Sequence, residues 1–183
     1  MAQDKRETPD RAALHDAALR HLARYAATEA GLVRVLDRRI ARWLRESGEP
    51  AETAEPAYAA ARAVARELAG SGVVDDAAFA TARARRLVRA GRSRRAVAAH
   101  LASKGVDAEI AGGALPEDDF PAALMFLRRR RFGPFRAAPA DPAEQQRELA
   151  ALARAGFMRD IAERALRTEP DEAERLLLQI KQG

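Results

Sequence analysis

The stretch that decides the fold is written twice: HLASKGVDAEIAGGAL covers residues 100–115, and ALARAGFMRDIAERAL covers residues 151–166. At an offset of 51 positions, seven of the sixteen residues are identical. Gly105 and Gly156 are equivalent, and each stands where a helix closes on a residue in the left-handed conformation. The apolar residues that follow recur at the spacing of one helix face. Each copy therefore predicts a helix, a turn closed by glycine, and a second helix.

The apolar periodicity around the two copies extends this pattern to three units of three helices. One helix pair cannot bury its own apolar face, so repeated units of this kind pack against their neighbours. We therefore predict an all-α fold of three tandem three-helix repeats that form an elongated, curved helical array. The predicted repeats are 10–74, 75–117 and 118–183, the last with a C-terminal helical tail. The equivalent residues expected in the core are Leu101 with Leu152, Ile110 with Ile161, and Leu115 with Leu166.

Local signals place the ends of the helices. Asp10 and Thr28 are the predicted N-caps of the first two helices, and Pro56 is predicted to open the third. The first helix is expected to carry Tyr25 on its apolar face. The chain after Pro170, which contains Leu176, Leu177 and Ile180, is predicted to form one further helix.

Composition favours helices and an intracellular setting. Of the 183 residues, 32% are charged and only 5% are aromatic, a balance that suits exposed helix faces better than half-buried strands. The sequence has no cysteine, which excludes disulfides and thiol chemistry. No signal peptide and no apolar run near ~18 residues is present, so we expect a cytoplasmic protein without a membrane span.

Positive charge is concentrated in two blocks that contain no acidic residue. All but three of the 32 basic residues are arginine. Eight basic residues lie between Asp76 and Asp107, and five lie between Asp119 and Asp141. A single arginine in such a composition is more simply a solubilising residue. Two acid-free blocks instead indicate a surface for phosphates or for an acidic partner.

Helix electrostatics explains some arginines of the two blocks and not others. The run from Arg128 to Arg131 ends a predicted helix, where cations interact favourably with the dipole. Arg94 and Arg95 stand in a first turn, where positive charge opposes the dipole, so we expect them to serve a partner rather than local stability. The predicted partner-binding and DNA-binding residues are Arg83, Arg85, Arg86, Arg89, Arg92, Arg94, Arg95, Arg128, Arg129, Arg130 and Arg131.

No pattern in the sequence indicates an enzyme. The acidic pairs Asp75/Asp76 and Asp118/Asp119 precede apolar helical stripes, where aspartates cap helices more commonly than they bind metal. His15, His21 and His100 lack the spacing of zinc ligands. Neither a phosphate-binding loop that ends in Gly-Lys-Ser/Thr nor a Gly-x-Ser-x-Gly elbow occurs. We expect no catalytic residue, no metal and no cofactor.

Five segments of the chain resemble the RecX family of recombination regulators in the order that the family has them. They are ALRHLARYAATEAGLVRVL (18–36), GVVDDAAFA (72–80), GRSRRAVAAHLASKGVDAEI (91–110), FLRRRRFGPF (126–135) and LAALARAGFMRDIAERAL (149–166). The resemblance spans about residues 18–167. The chain departs from the family pattern at Ala78, where arginine is usual, at Ser93 and Arg94, where Gly-Pro is usual, and at Gly31, where glutamate is usual.

The resemblance implies a non-enzymatic regulator that acts in DNA repair. Members of the family bind the RecA recombinase, so the implied partner is the filament of a RecA-type recombinase on single-stranded DNA, with inhibition of its ATPase and strand exchange. We expect a monomer that lies along the filament groove. Two alternatives stay open: a basic helical DNA-binding protein that needs no recombinase, and a scaffold of generic helical repeats in which the basic blocks are incidental.

We predict that free single-stranded DNA binds weakly, with little sequence preference and a steep dependence on salt. The reason is that aromatic side chains for base stacking are scarce, which leaves arginine–phosphate attraction as the main contribution. Fluorescence anisotropy across a salt titration tests this. Tight binding that persists at high salt would contradict the prediction.

Overall fold

The computed structural model describes residues 7–182, with side chains as far as residue 179. All regular secondary structure in that range is helical. The prediction of an all-α fold is therefore confirmed. Two short 3-10 helices, Ala51–Ala54 and Gly133–Phe135, accompany ten α-helices. The α-helices are α1 (Arg11–Leu22), α2 (Glu29–Ser47), α3 (Glu55–Gly70), α4 (Asp76–Arg89), α5 (Arg94–Ser103), α6 (Ala108–Ala114), α7 (Phe120–Arg130), α8 (Pro142–Arg154), α9 (Arg159–Arg167) and α10 (Pro170–Gln182).

Local chemistry starts and stops these helices as predicted. Asp10 accepts a hydrogen bond from the Ala13 N–H at 2.7 Å and so caps α1. Thr28 caps α2 in the same way. Pro56 lies in the first turn of α3, where its missing N–H costs nothing. Gly48 ends α2 in the left-handed conformation with φ 72°.

The first compact unit comprises the described residues up to 79 together with 104–106. Its core lies between α1, α2 and α3, because each of these helices presents an apolar stripe to the other two. Side chains with no exposed surface come from all three helices: Leu14, Leu32, Leu36, Ile40, Ala61 and Val64. Tyr25 was predicted on the apolar face of the first helix, which is wrong. The helix ends at Leu22, and Tyr25 is 62% exposed.

The second compact unit comprises residues 80–103 and the chain from 107 onward. Its core lies between α7, α8, α9 and α10 and buries Leu124, Leu127, Leu152 and Leu177 completely. The predicted tail helix is confirmed as α10. Ile180 lies outside the described side chains.

The two copies of the repeated sequence fold alike. Leu101 and Leu152 are fully buried, and no strand occurs in either copy. The other four residues predicted to lie in the core are all half-buried: Ile110, Ile161, Leu115 and Leu166. The predicted division into the repeats 10–74, 75–117 and 118–183 stays a prediction. Helices α1–α3, α4–α6 and α7–α9 lie within these three ranges in turn.

Gly105 and Gly156 both adopt the left-handed conformation, with φ 80° and 90°. Each glycine also lies close to the start of a helix. A Cβ on Gly105 would lie 2.5 Å from the Cβ of Ala30, and a Cβ on Gly156 would lie 2.8 Å from the Oγ of Ser93. Glycine is therefore required at both positions for space as well as for conformation.

We predict that Gly105→Ala destabilises the first unit more than Gly48→Ala does. Both glycines have positive φ, so each alanine costs about 1–2 kcal/mol of backbone strain. Gly48 faces open space, whereas Gly105 faces Ala30, and overpacking adds about 1–3 kcal/mol. Urea unfolding of the two variants measures the difference. Equal losses of stability would show that close approach at Gly105 contributes nothing.

Candidate partner-binding site

The two aspartates at the start of α4 accept hydrogen bonds from the N-termini of two different helices. Asp75 caps its own helix, since its Oδ1 accepts from the Ala78 N–H at 2.8 Å. Asp76 instead accepts from the N–H of Glu29, the first residue of α2, at 2.9 Å. The prediction that the pair would cap helices is therefore correct, but Asp76 serves a helix 47 residues away in the sequence.

The pair before α7 repeats this division. Asp118 accepts from the N–H of Phe120 at 2.9 Å, and Asp119 accepts from the N–H of Arg94 at 2.6 Å. Asp119 is 8% exposed, and burial raises the pKa of its carboxyl, while the Arg94 N–H and the Arg94 charge oppose that rise. Asp119 thus supplies negative charge at the positive end of α5.

Two buried hydroxyl groups complete the same arrangement. Thr28 accepts from the N–H of Gly31 at 2.9 Å and donates to the carbonyl of Lys104 at 2.7 Å. Ser93 accepts from the N–H of Ala96 at 3.3 Å and donates to the carbonyl of Ala155 at 2.7 Å. Each hydroxyl caps one helix and holds the carbonyl that precedes Gly105 or Gly156.

Sequence reasoning missed this second role of Thr28 and Ser93. The only signal was the departure at Ser93 from the glycine that is usual in the family. A hydroxyl there provides both the cap and the donor. Val97 and Leu101 of the helix that Ser93 caps are fully buried, so the start of α5 is held by polar groups and its body by apolar contact.

The two basic blocks meet in a cleft of about 200 Å³ between the end of α4 and the end of α7. Arg92 from the first block lies in this cleft with Arg129 and Arg130 from the second. Close backbone contact creates it, because a Cβ on Gly91 would lie 2.7 Å from the N of Phe126. Arg129 donates to the carbonyl of Ala90 at 2.6 Å. Ala155 completes the lining with Gly91 and Phe126.

An aromatic pair packs beneath one of the basic side chains at this cleft. The guanidinium of Arg130 lies 5.5 Å from the ring centroid of Phe126, within the range of a cation–π interaction. Phe126 in turn makes an edge contact with Phe157, with ring centroids 5.8 Å apart. Arg131 ends α7 with φ 55°, in the left-handed region that favours glycine. Phe126, packed on Phe157, therefore positions the Arg130 guanidinium at the cleft.

Several of these arginines have no acidic partner within the described side chains, residues 7–179. No carboxylate oxygen of that range lies within 4.0 Å of the guanidinium groups of Arg92, Arg95, Arg129 or Arg130. All four side chains are exposed. Uncompensated positive charge at one cleft repels itself in the free protein, and an anionic partner removes that cost.

The structure separates the remaining predicted residues. Arg85, Arg86 and Arg89 are exposed on α4, whereas Arg83 on the same helix is half-buried. Arg128 lies 3.9 Å from Glu174, a weak exposed pair. Arg131 is exposed at the end of α7.

Arg94 requires a correction. We expected local stability not to account for Arg94, but its Nη1 donates to the carbonyl of Pro116 at 2.6 Å and lies 3.3 Å from the carbonyl of Glu117. The Arg94 side chain thus ties α5 to the loop before α7. Arg95 fits the expectation better, since its Cβ and Cδ lie along Gly156 and its charge is unpaired among the described residues.

The described residues contain neither a metal-binding cluster nor a membrane-spanning helix. No group of three or more histidine and acidic side chains there is arranged to hold a metal ion. None of the helices described is long and apolar enough to cross a bilayer.

The known proteins that this chain is similar to carry the same family description. A family model described as the second three-helix domain of RecX matches residues 75–115. The chain is 40% identical over 166 residues to the regulatory protein RecX of Myxococcus xanthus (strain DK1622), an alignment that covers 86% of both chains. It is 38% identical over 109 residues to the regulatory protein RecX of Agrobacterium fabrum, with 59% of both chains covered.

A solved structure shows the same fold. The crystal structure of a regulatory protein RecX superposes with a TM-score of 0.54 at 23% sequence identity. The match covers 84% of this chain and 70% of that chain.

Proposed function

We propose, because the chain belongs to the RecX family of regulatory proteins, that it binds the filament of a RecA-type recombinase on single-stranded DNA and lowers its ATPase and strand-exchange activity. Membership of the family supports the class of partner. One observation supports particular residues as the contact site: Arg92, Arg129 and Arg130, from the two acid-free blocks, lie at one cleft.

The chemistry of the cleft favours an anionic partner that presents oxygen atoms. Guanidinium groups donate in a planar fork that matches carboxylate and phosphate oxygens. A nucleoprotein filament offers both groups, as acidic side chains of the recombinase and as phosphates of the DNA. Arg85, Arg86 and Arg89 on α4 and Arg95 on α5 extend the basic surface of the same unit.

Binding alone accounts for the regulatory effect that we propose. A protein that occupies the filament groove blocks the approach of a second DNA strand and restrains the movements that accompany ATP turnover. The regulator then needs no reaction of its own. We propose a monomer as the active form, consistent with contact through one basic face.

We predict that Arg92→Glu combined with Arg130→Glu weakens binding to the filament by about tenfold or more, which corresponds to ~1.4 kcal/mol. Neither side chain donates a hydrogen bond to another described residue, so the change removes only the ring contact of Arg130 with Phe126 from the contacts described above. The loss of a cation from the last turn of α7 costs up to ~1 kcal/mol, which thermal unfolding will measure. The assay is the ATPase rate of a RecA-type recombinase on single-stranded DNA.

The matched control is Arg20→Glu combined with Arg66→Glu. Both arginines are exposed on helices of the other unit, and isolated surface charges contribute roughly 0–1 kcal/mol. Arg62 is a poorer control, because its charge lowers the pKa of the half-buried Asp37 carboxyl against the larger effect of burial. Arg94 is left intact because its side chain supports the loop before α7.

Three outcomes separate the possibilities. If the wild-type chain leaves the ATPase rate unchanged over a wide concentration range, the proposed function is wrong. If the wild type inhibits and the cleft variant inhibits equally, the partner is right and the site is wrong. If the chain binds bare and recombinase-coated DNA with equal affinity, the alternative of a DNA-binding protein without a recombinase partner is correct.

A further inference from the structure

The solvent face of α2 is almost entirely arginine. Six of the nineteen residues of this helix are exposed, and five of the six are basic. The exposed residues are Arg34, Arg38, Arg39, Arg42, Arg45 and Glu46. The five arginines among them form the α2 arginine face. No other described helix of the first unit has such a face, since α1 and α3 expose basic, acidic and small residues together.

Folding of the helix creates this face because Asp37, which stands among the arginines in the sequence, is partly withdrawn from solvent. The buried stripe of α2 contains Leu32, Leu36, Ile40 and Trp43, and the arginine face lies opposite to it. Asp37 is half-buried, and burial raises the pKa of its carboxyl. In the sequence Asp37 stands between Arg34 and Arg38, so these arginines do not form an acid-free block.

Four of the five arginines have no polar partner among residues 7–179. Arg34 donates to the carbonyl of Lys104 at 2.7 Å and so belongs partly to the structure. For Arg38, Arg39, Arg42 and Arg45, no carboxylate oxygen of the described side chains lies within 4.0 Å. Only Arg45 lies in the last turn, where the helix dipole favours a cation. Helix electrostatics therefore does not account for the other three.

The length and composition of the face fit a polyanion better than a protein surface. From Arg34 to Arg45 the helix rises about 16 Å, the axial length of about five phosphates on one strand of B-DNA. Protein interfaces are rich in aromatic and apolar residues at their centre, and α2 exposes none. Contact with a lipid surface also requires apolar side chains among the cations.

We propose that the α2 arginine face binds the phosphate backbone of a nucleic acid. This surface belongs to the first unit and is additional to the cleft of the second unit. It does not depend on a recombinase partner, so the ATPase assay above and the assay below fail independently. The contact is through charge alone and carries no base readout.

The test is the salt dependence of DNA binding by the full chain with Arg38, Arg42 and Arg45 all changed to Gln. Glutamine keeps the helix propensity, and Arg34 is retained for its bond to Lys104. The slope of log K against log salt is negative, and each lost phosphate contact reduces its magnitude by roughly 0.7 for a single strand or 0.9 for a duplex. We therefore expect the magnitude of the slope to decrease by about 2 with single-stranded DNA, or by about 2.7 if the bound form is duplex DNA.

The control changes three exposed arginines of the same unit outside α2: Arg20, Arg24 and Arg66 to Gln. Net charge falls equally in both variants, so a general loss of attraction affects them alike. A decrease in the magnitude of the slope confined to the α2 variant supports the proposal. Equal slopes for the wild type and the α2 variant, equal decreases in both variants, or a loss of filament binding with unchanged DNA slopes would overturn it.

Discussion

The buried Ser93 hydroxyl is the contact that fixes α5 against the end of α8, next to the basic cleft. It accepts from the first turn of α5 and donates to the carbonyl of Ala155 at the end of α8. A buried hydroxyl without partners costs about 1–3 kcal/mol, so both bonds must form together when α5 and α8 come into register. Gly156 next to that carbonyl has no Cβ, which allows the approach. Arg92 and Arg95 flank this contact.

Thr28 repeats the contact in the first unit, with Lys104 and Gly105 in the places of Ala155 and Gly156. The partner aspartate repeats as well, since Asp76 bonds to the start of α2 as Asp119 bonds to the start of α5. Hydroxyl, aspartate and glycine together form one connection that occurs twice. Such a connection fixes the position of one helix against the other. Any shift in register would leave the hydroxyl or the carboxylate buried and without a hydrogen-bond partner.

This connection also explains how positive charge is tolerated at the start of α5. Arg92, Arg94 and Arg95 stand where the dipole opposes them, and the Asp119 carboxylate lies against the same N-terminus. Arg94 gains carbonyl partners, whereas Arg92 and Arg95 gain none among the described residues. The Ser93 hydroxyl and the Arg94 guanidinium at this start of α5 both make contacts of their own.

The sequence by itself determined most helix boundaries, because local groups such as Asp10, Thr28 and Gly48 start or stop the helices. The starts of α2 and α5 also receive Asp76 and Asp119, which only the tertiary structure brings to them. The sequence also determined the equivalence of the two copies, since Gly105 and Gly156 require the same backbone conformation. Only the tertiary structure decided which arginines act together. Arg92 and Arg130 are 38 positions apart, and only the approach of Gly91 to α7 brings them to one cleft. The α2 arginine face also appears only in the folded helix. A helix places its residues by angle around the axis, whereas a sequence gives them in chain order. Asp37 therefore interrupts the arginines in the sequence but does not lie on the exposed face of the helix.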